Sequence, residues 1–153
     1  MRYALVAALL LLTACASGGV AEPVVDAEIG TAPFALVSSG FAAGNPKFLP
    51  QTTTEQMTFV FRNVTDVPQK AESLFIRQSN EASSSLQLAR ASTRIDRVIA
   101  PGEELAVSVA ASVALTPPEK RAGVSGLELE VLLEHADGTR YRWHEVQPKY
   151  PRV

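Results

Sequence analysis

The segment GLELEVLLEHADGTRYRWHEV, residues 126–146, decides the fold because it contains two strands and the turn that sets their register. Apolar residues occupy every second position across Leu127–Leu133, which is the period of a half-buried β-strand. The Asp137-Gly138 dipeptide predicts a tight turn, and residues 140–146 predict the returning strand. The segment therefore predicts a β-hairpin.

The length of this turn determines which residues face each other. A two-residue loop would place Trp143 opposite Leu132, on the face that carries glutamates. A three-residue loop over 136–138, with Gly138 in the left-handed conformation, places Trp143 opposite Val131 instead. We predict the longer loop because it gives both faces compatible pairs. The other expected pairs are Leu133 with Tyr141, Glu134 with Arg140 and Glu130 with His144.

Further strands precede this hairpin. The stretch ELAVSVAASVAL alternates apolar and small residues over 104–115, and Pro101-Gly102 predicts the turn before it. In MTFVFRNV, the residues Met57, Phe59 and Phe61 share one face and are predicted core. With APFALVSS, ESLFIRQ, SSLQLAR and TRIDRVI, the chain contains about seven or eight short strands with little helix. Such spacing predicts an all-β fold, an antiparallel β-sandwich.

Two segments add a resemblance to this pattern. FVFRNVTDVP and VIAPGEELAVSV resemble immunoglobulin-like domains of bacterial envelope proteins. In those domains a strand typically ends in an Asn-x-Ser/Thr-Asp turn, and a later Pro-Gly turn begins another strand. The resemblance implies an immunoglobulin-like sandwich. With a single cysteine, the chain lacks the intersheet cysteine pair of antibody domains.

The N-terminal segment predicts export. Arg2 supplies an early positive charge, and the apolar run YALVAALLLL that follows is too short for the roughly 20 residues of a bilayer-spanning helix. A basic start, a short apolar run and small residues after it are typical of a cleaved signal peptide.

The end of that run resembles the lipobox of bacterial lipoproteins, in the residues Leu12, Thr13, Ala14 and Cys15. The resemblance implies cleavage before Cys15, a diacylglyceryl group on its sulfur and a fatty acid, such as palmitate, on its amino group. Several acyl chains on one residue would anchor the protein stably to a membrane. Ala16, in place of the aspartate that retains many lipoproteins at the inner membrane, implies the outer membrane and its periplasmic face. The alternative is an ordinary secretory signal.

These features divide the chain into three parts. Residues 1–14 are expected to be the lipoprotein signal peptide, 15–27 the acylated N-terminus with a flexible tether, and 28–153 the sandwich domain. The tether prediction rests on small residues, glycines and one proline. Its alternative is an ordered first strand that includes Val24 and Val25.

Charge and composition indicate a protein without catalytic chemistry. Without residues 1–14, the chain has 13 basic and 16 acidic residues and no basic block, so nucleic acid is not expected as a partner. The predicted register puts His135 and His144 on opposite faces, where they do not share a metal. The glutamates of residues 128–134 face arginines across the hairpin, which favours solvated ion pairs over a carboxylate pair for hydrolysis. We expect no catalytic residues, cofactor or metal.

The predicted function is that of a membrane-anchored, periplasm-facing binding, assembly or secretion accessory module with an envelope protein as partner. The alternative is a periplasmic protease inhibitor or chaperone that uses a strand edge or the loop 40–56, where Phe41 and Phe48 are candidate contact residues. That loop could instead be a packed crossover. A small-ligand carrier or hydrolase is a more remote possibility.

Overall fold

A computed structural model describes residues 23–41, 52–79, 86–115 and 127–147 of the chain. These residues form nine β-strands, and no helix occurs among them. In chain order the strands are β1 (Val24–Asp26), β2 (Phe34–Phe41), β3 (Thr52–Asn63), β4 (Gln69–Gln78), β5 (Leu86–Leu88), β6 (Ala91–Ile99), β7 (Glu104–Leu115), β8 (Leu127–His135) and β9 (Arg140–Gln147).

The strands form two sheets packed face to face. One sheet has five strands in the order β1-β9-β8-β4-β6, and the other has four in the order β2-β3-β7-β5. Pairing is antiparallel except between β1 and β9, which run parallel. The predicted immunoglobulin-like β-sandwich is confirmed, with the short strand β1 raising the strand count to nine among the described residues.

The core lies between the sheets and comes from alternate residues of the long strands. On β3, the predicted core residues Met57, Phe59 and Phe61 are at most 1% exposed. The Phe61 ring lies 5.4 Å from the Trp143 ring of the opposite sheet, so an aromatic contact joins the two layers. On β7, the alternation predicts the buried row, whose described side chains are Leu105, Val107, Val109, Ala111 and Val113.

The β8–β9 hairpin has the predicted three-residue turn. Val131 pairs with Trp143, and the other three expected pairs also form. His135 N donates to Thr139 O at 2.9 Å, and Gly138 N donates to His135 O at 2.9 Å. Gly138 has φ 84°, the left-handed conformation that the bulged turn requires.

The tether prediction is wrong for residues 24–26, and the alternative of a first strand is correct there. β1 pairs with β9, with Val25 opposite Tyr141. Two hydrogen bonds flank the pairing, from Arg140 N to Pro23 O and from Ala27 N to Arg142 O, both 2.9 Å. The outer edge of β9 offers unpaired backbone groups, and three residues of β1 satisfy them. The domain therefore includes residues before 28, and residues 15–22 of the predicted tether lie outside the described residues.

The loop predicted over 40–56 is shorter than expected at both ends. Gly40 and Phe41 still belong to β2, where Phe41 pairs with Met57. β3 begins at Thr52, and its polar first residues pair with β7 as far as Ala114. Backbone pairing with a long neighbouring strand extends β3 where its side chains carry no apolar signal. Residues 42–51, including Phe48, lie outside the described part.

Asn63 joins three segments at one end of the sandwich. It is 0% exposed, and its Nδ2 donates to Val67 O at 2.8 Å and Ile99 O at 2.9 Å. Its Oδ1 accepts from Thr65 N at 2.9 Å and Thr65 Oγ1 at 2.8 Å. The Asn63-Val64-Thr65 sequence thus forms a turn with both polar atoms of the amide engaged.

The turn at Pro101-Gly102 links the two sheets beside Asn63. Glu103 N donates to Ala100 O at 3.0 Å, and Gly102 has φ 74°, as a type II turn requires at its third residue. Gly102 N donates to Asn63 O at 2.9 Å, which ties this turn to the end of β3. The predicted Pro-Gly turn is confirmed.

Candidate functional site

The outer face of the five-stranded sheet carries several close ion pairs. Glu130 on β8, whose side chain is 14% exposed, contacts Arg77 Nε on β4 and lies 3.8 Å from Arg142 Nη1 on β9. Arg142 Nη2 also lies 3.5 Å from the Asp26 carboxylate on β1. Both carboxylates therefore contact the Arg142 guanidinium, and Glu130 has a second cation, Arg77, beside it.

The second part of this face combines charge with an aromatic ring. Arg140 Nε donates to Glu134 Oε2 at 3.0 Å, as the hairpin register predicts. The same guanidinium lies 4.1 Å above the centre of the Phe75 ring, a cation–π contact. Sequence analysis identified the Glu134–Arg140 pair because both residues belong to one hairpin. It missed Phe75, since only the tertiary fold brings β4 beside β8.

A shallow open depression of about 290 Å³ lies on this face. Phe75 and Leu132 supply its apolar surface, and Arg90 and Arg140 lie at its border. Two of its border cations, Arg77 and Arg140, are engaged with glutamates. The depression therefore combines an apolar lining with arginine side chains.

The two histidines lie on opposite faces, as predicted. His135 points to the core side, where its ring centre is 6.2 Å from that of Phe34 and its Nε2 is 2.9 Å from Gln69 Oε1. His144 is on the outer face, where its 45% exposed side chain lies 4.0 Å from Asp26 Oδ2. They cannot share a ligand.

A polar network surrounds the β8–β9 turn. Asp137 Oδ1 accepts from Thr139 N at 2.8 Å and lies 3.0 Å from His135 Nδ1. The Thr139 hydrogen bond, with the His135 contact second, holds the pKa of Asp137 below its ordinary value. Burial, with a smaller contribution from Asp137, raises the pKa of Tyr141. The members of this network contact one another and so hold the orientation of the turn.

Within the residues that the structure describes, no group of three or more His, Cys, Asp or Glu side chains is placed to hold a metal ion. The same residues contain no helix long and apolar enough to cross a membrane.

The strand edges differ in how they are protected. β6 and β2 are outer strands of their sheets. The pairing of β6 with β4 contains a bulge opposite Glu72, and the pairing of β2 with β3 contains a bulge at Val37. Near the β6 bulge, Asp96 has φ 48° and its carboxylate lies 2.9 Å from Lys70 Nζ. Bulges and charges of this kind discourage pairing with another strand. β7 is different because β5 covers only its last residues.

Most of the residues that the sequence analysis singled out lie outside the described part of the chain. Cys15 and the lipobox residues Leu12, Thr13 and Ala14 lie outside the described residues, as does Phe48. For Phe41 the structure gives only its backbone, as the last residue of β2. The described residues contribute the charged sheet face and the β7 edge as candidate surfaces.

Comparison with known proteins gives fold-level similarity only. No family model and no curated protein matches the chain. A FixG-related protein from Vibrio parahaemolyticus is similar over 77% of this chain and 97% of its own, at 14% identity and a TM-score of 0.42. AvmM, described as catalysing macrocyclization in alchivemycin A biosynthesis, is similar over 85% and 93%, at 9% identity and a TM-score of 0.39.

A third similar structure is a much larger enzyme. It is a GH20 exo-β-N-acetylglucosaminidase from Vibrio harveyi in complex with N-acetylglucosamine, 13% identical with a TM-score of 0.35. The similarity covers 79% of this chain but only 20% of the enzyme. Likeness at these levels carries no information about activity.

Proposed function

We propose that this protein is a lipoprotein of the bacterial cell envelope that acts as a non-catalytic binding, assembly or secretion accessory. Its sandwich domain would be held by acyl chains on Cys15 at the periplasmic face of the outer membrane. The sequence Leu12-Thr13-Ala14-Cys15 is the single observation that carries the proposal. Several acyl chains bury enough methylene groups for stable anchoring.

The character of the described domain supports a binding role. The charged side chains on its outer sheet face are grouped into ion pairs, as around Glu130 and Glu134. The same face presents Phe75 and Leu132 in an open depression. A surface that mixes apolar floor, arginine and aromatic groups is typical of protein–protein contacts. The proposed partner is another envelope protein.

A second candidate function is that of a periplasmic chaperone or inhibitor that holds an extended client by strand addition. The observation that favours it is the long edge of β7 that no other described strand covers. Strand addition uses backbone hydrogen bonds for affinity and side-chain pockets for specificity. The loop 40–56, with Phe48, remains part of this candidate as a second contact region.

Anchoring is tested by replacing Cys15 in the producing cell. Wild type should sediment with membranes, incorporate a labelled palmitate analogue and resist extraction by high salt. Cys15→Ser should lose the label and stay unprocessed or become soluble. Equal labelling or equal sedimentation of the two forms would contradict the proposal.

The remaining parts of the proposal have separate tests. Wild type should be found in outer-membrane fractions, and the Ala16→Asp variant should be found in inner-membrane fractions with the same label. This comparison tests location independently of acylation. Crosslinking in intact cells, followed by detergent extraction, should retrieve one partner in stoichiometric amount. Repeated recovery of the protein alone, with anchoring intact, would contradict the binding role.

A further inference from the structure

The four-stranded sheet leaves most of one side of β7 uncovered. β3 pairs with β7 from Glu104 to Ala114. On the other side, β5 pairs only with Val113–Leu115, and Ala89 N adds one hydrogen bond to Ser112 O at 2.9 Å. Within the part of the chain that the structure describes, no strand pairs with residues 105–111 on that side.

The direction of the free backbone groups follows from these bonds. Alternate residues of a strand direct their N–H and C=O groups to opposite edges. Ser112 O points to the β5 side, whereas Glu103 O accepts from Asn63 N on the β3 side at 3.1 Å. The even-numbered residues Ala106, Ser108 and Ala110 therefore present their backbone groups at the open edge. An antiparallel strand added there would form about six hydrogen bonds.

The neighbouring β6 overhangs this edge. Thr93 and Ala91 pair with Leu74 and Ile76 of β4, which are at most 1% exposed, so all four side chains point to the core side. Yet Ala91, Thr93 and the core-contacting Ile95 are only half-buried. β6 thus lacks the cover that the facing sheet provides for β4. We call the region bordered by the free edge of β7 and by these half-buried β6 side chains the slot.

We infer that this slot binds one extended, uncharged segment of another polypeptide as an added β-strand. The inference deepens the proposed function, since it rests on the protein being a binding module and names the surface. Inward side chains of the segment would be apolar and contact Ile95 and Val107. Its outward side chains would lie beside Ala106, Ser108 and Ala110, which are small and exposed.

The position of β6 argues for a single strand rather than a second copy of this domain. β6 is the outermost strand of the five-stranded sheet beside β4, and it lies close to β7. In a pair of domains joined edge to edge through β7, each β6 would enter the space that the other needs. The uncharged stretch of β7 also lacks the charge and the bulge that protect β6 and β2.

The test uses the full chain extracted in detergent from membranes and a labelled peptide with the sequence LAVSVAASV, residues 105–113, carrying two added lysines. This peptide has the alternation that the slot requires. Ala110→Pro should weaken peptide binding at least tenfold in fluorescence anisotropy, because it removes an edge N–H that makes no bond to β3. Ala110→Ser, which keeps the N–H, is the matched control and should bind like wild type.

Amide hydrogen exchange reads the same edge directly. In the free protein the amides of Ala106, Ser108 and Ala110 should exchange quickly, and saturating peptide should slow them at least tenfold. Equal peptide binding by Ala110→Pro and wild type would overturn the inference. Protection of these amides without peptide would also overturn it. Protection that rises with protein concentration would mean that a second copy covers the edge, and protection independent of concentration would mean that the chain's own residues cover it.

The slot and the proposed function can fail separately. If Ala110→Pro and Ala110→Ser both retrieve the crosslinked envelope partner, the partner does not bind at the slot, and the proposed binding role stands. If the peptide binds and protects the edge but no anchored form retrieves a partner, the slot stands and the proposed function is wrong.

Discussion

Replacing Asn63 by alanine tests how the end of the sandwich is held together. Asn63→Ala removes the donor to Ile99 O and the acceptor for Thr65 N. A buried polar group without a partner costs about 1–3 kcal/mol, and a net hydrogen bond contributes about 0.5–1.5 kcal/mol. Without Asn63 Oδ1 to accept it, the single hydroxyl hydrogen of Thr65 is free for Val67 O at 2.9 Å, so the loss at Val67 O adds little. We expect Asn63→Ala to lower the free energy of unfolding by about 2–4 kcal/mol.

The assay is urea unfolding followed by fluorescence of Trp143. It is the only tryptophan of the chain and is 7% exposed, so unfolding should shift its emission to longer wavelength. Thr65→Val is the control, because it removes one hydroxyl and leaves both Asn63 amide bonds to carbonyls in place. It should cost about 1 kcal/mol.

Asn63→Asp sharpens the test at nearly constant shape. It keeps Oδ1 as an acceptor but places an oxygen against the carbonyls of Val67 and Ile99. At pH 7 it should be less stable than Asn63→Ala, because a buried carboxylate would then face two carbonyl oxygens. The argument fails if Asn63→Ala loses under about 0.5 kcal/mol at an unchanged urea slope, or if Asn63→Asp is the more stable variant at pH 7.

Three further predictions concern the hairpin and the core. The lowered pKa of Asp137 means that its contribution to stability is present above the unfolded-state pKa and is lost as pH falls through the folded-state value. Asp137→Asn should therefore flatten the fall in urea midpoint between pH 5 and pH 2, and an unchanged profile would contradict this. Gly138→Ala should cost about 1–2 kcal/mol from backbone strain alone, since φ is 84° and no atom lies within 4 Å of an added Cβ. Equal stability of the two proteins in urea would disprove that strain. Phe61→Ala should cost about 3–5 kcal/mol and move Trp143 emission to longer wavelength, because the 0% exposed Phe61 ring packs on the indole. Unchanged emission in the folded variant would show that the contact does not shield Trp143.

Much of the fold could be predicted because its strongest signals are local. The register of β8 and β9 follows from one turn and from alternation on both faces, so pairing Val131 with Trp143 needed no distant information. The alternation over β7 likewise predicts its buried row. Both signals depend on a period of two, which a half-buried strand imposes on its own residues.

Other elements depend on partners that the local sequence does not name. Val24–Asp26 carries too few residues for a periodic signal, and it becomes a strand because β9 offers an open edge. Thr52–Gln56 is polar on both faces, and it extends β3 because β7 is long enough to pair with it. The ion pair between Arg77 and Glu130 joins residues that are 53 positions apart.

The sequence alone determined the all-β class, the hairpin register and the expectation of a lipid-anchored N-terminus, since each is written in residues close together along the chain. Tertiary structure decided how strands from distant segments share sheets, which charges neutralise each other, and where an edge is left open. The physical reason is that side-chain alternation sets which face of a strand is buried. The neighbouring strand at each edge is held by backbone hydrogen bonds, which depend little on the side chains.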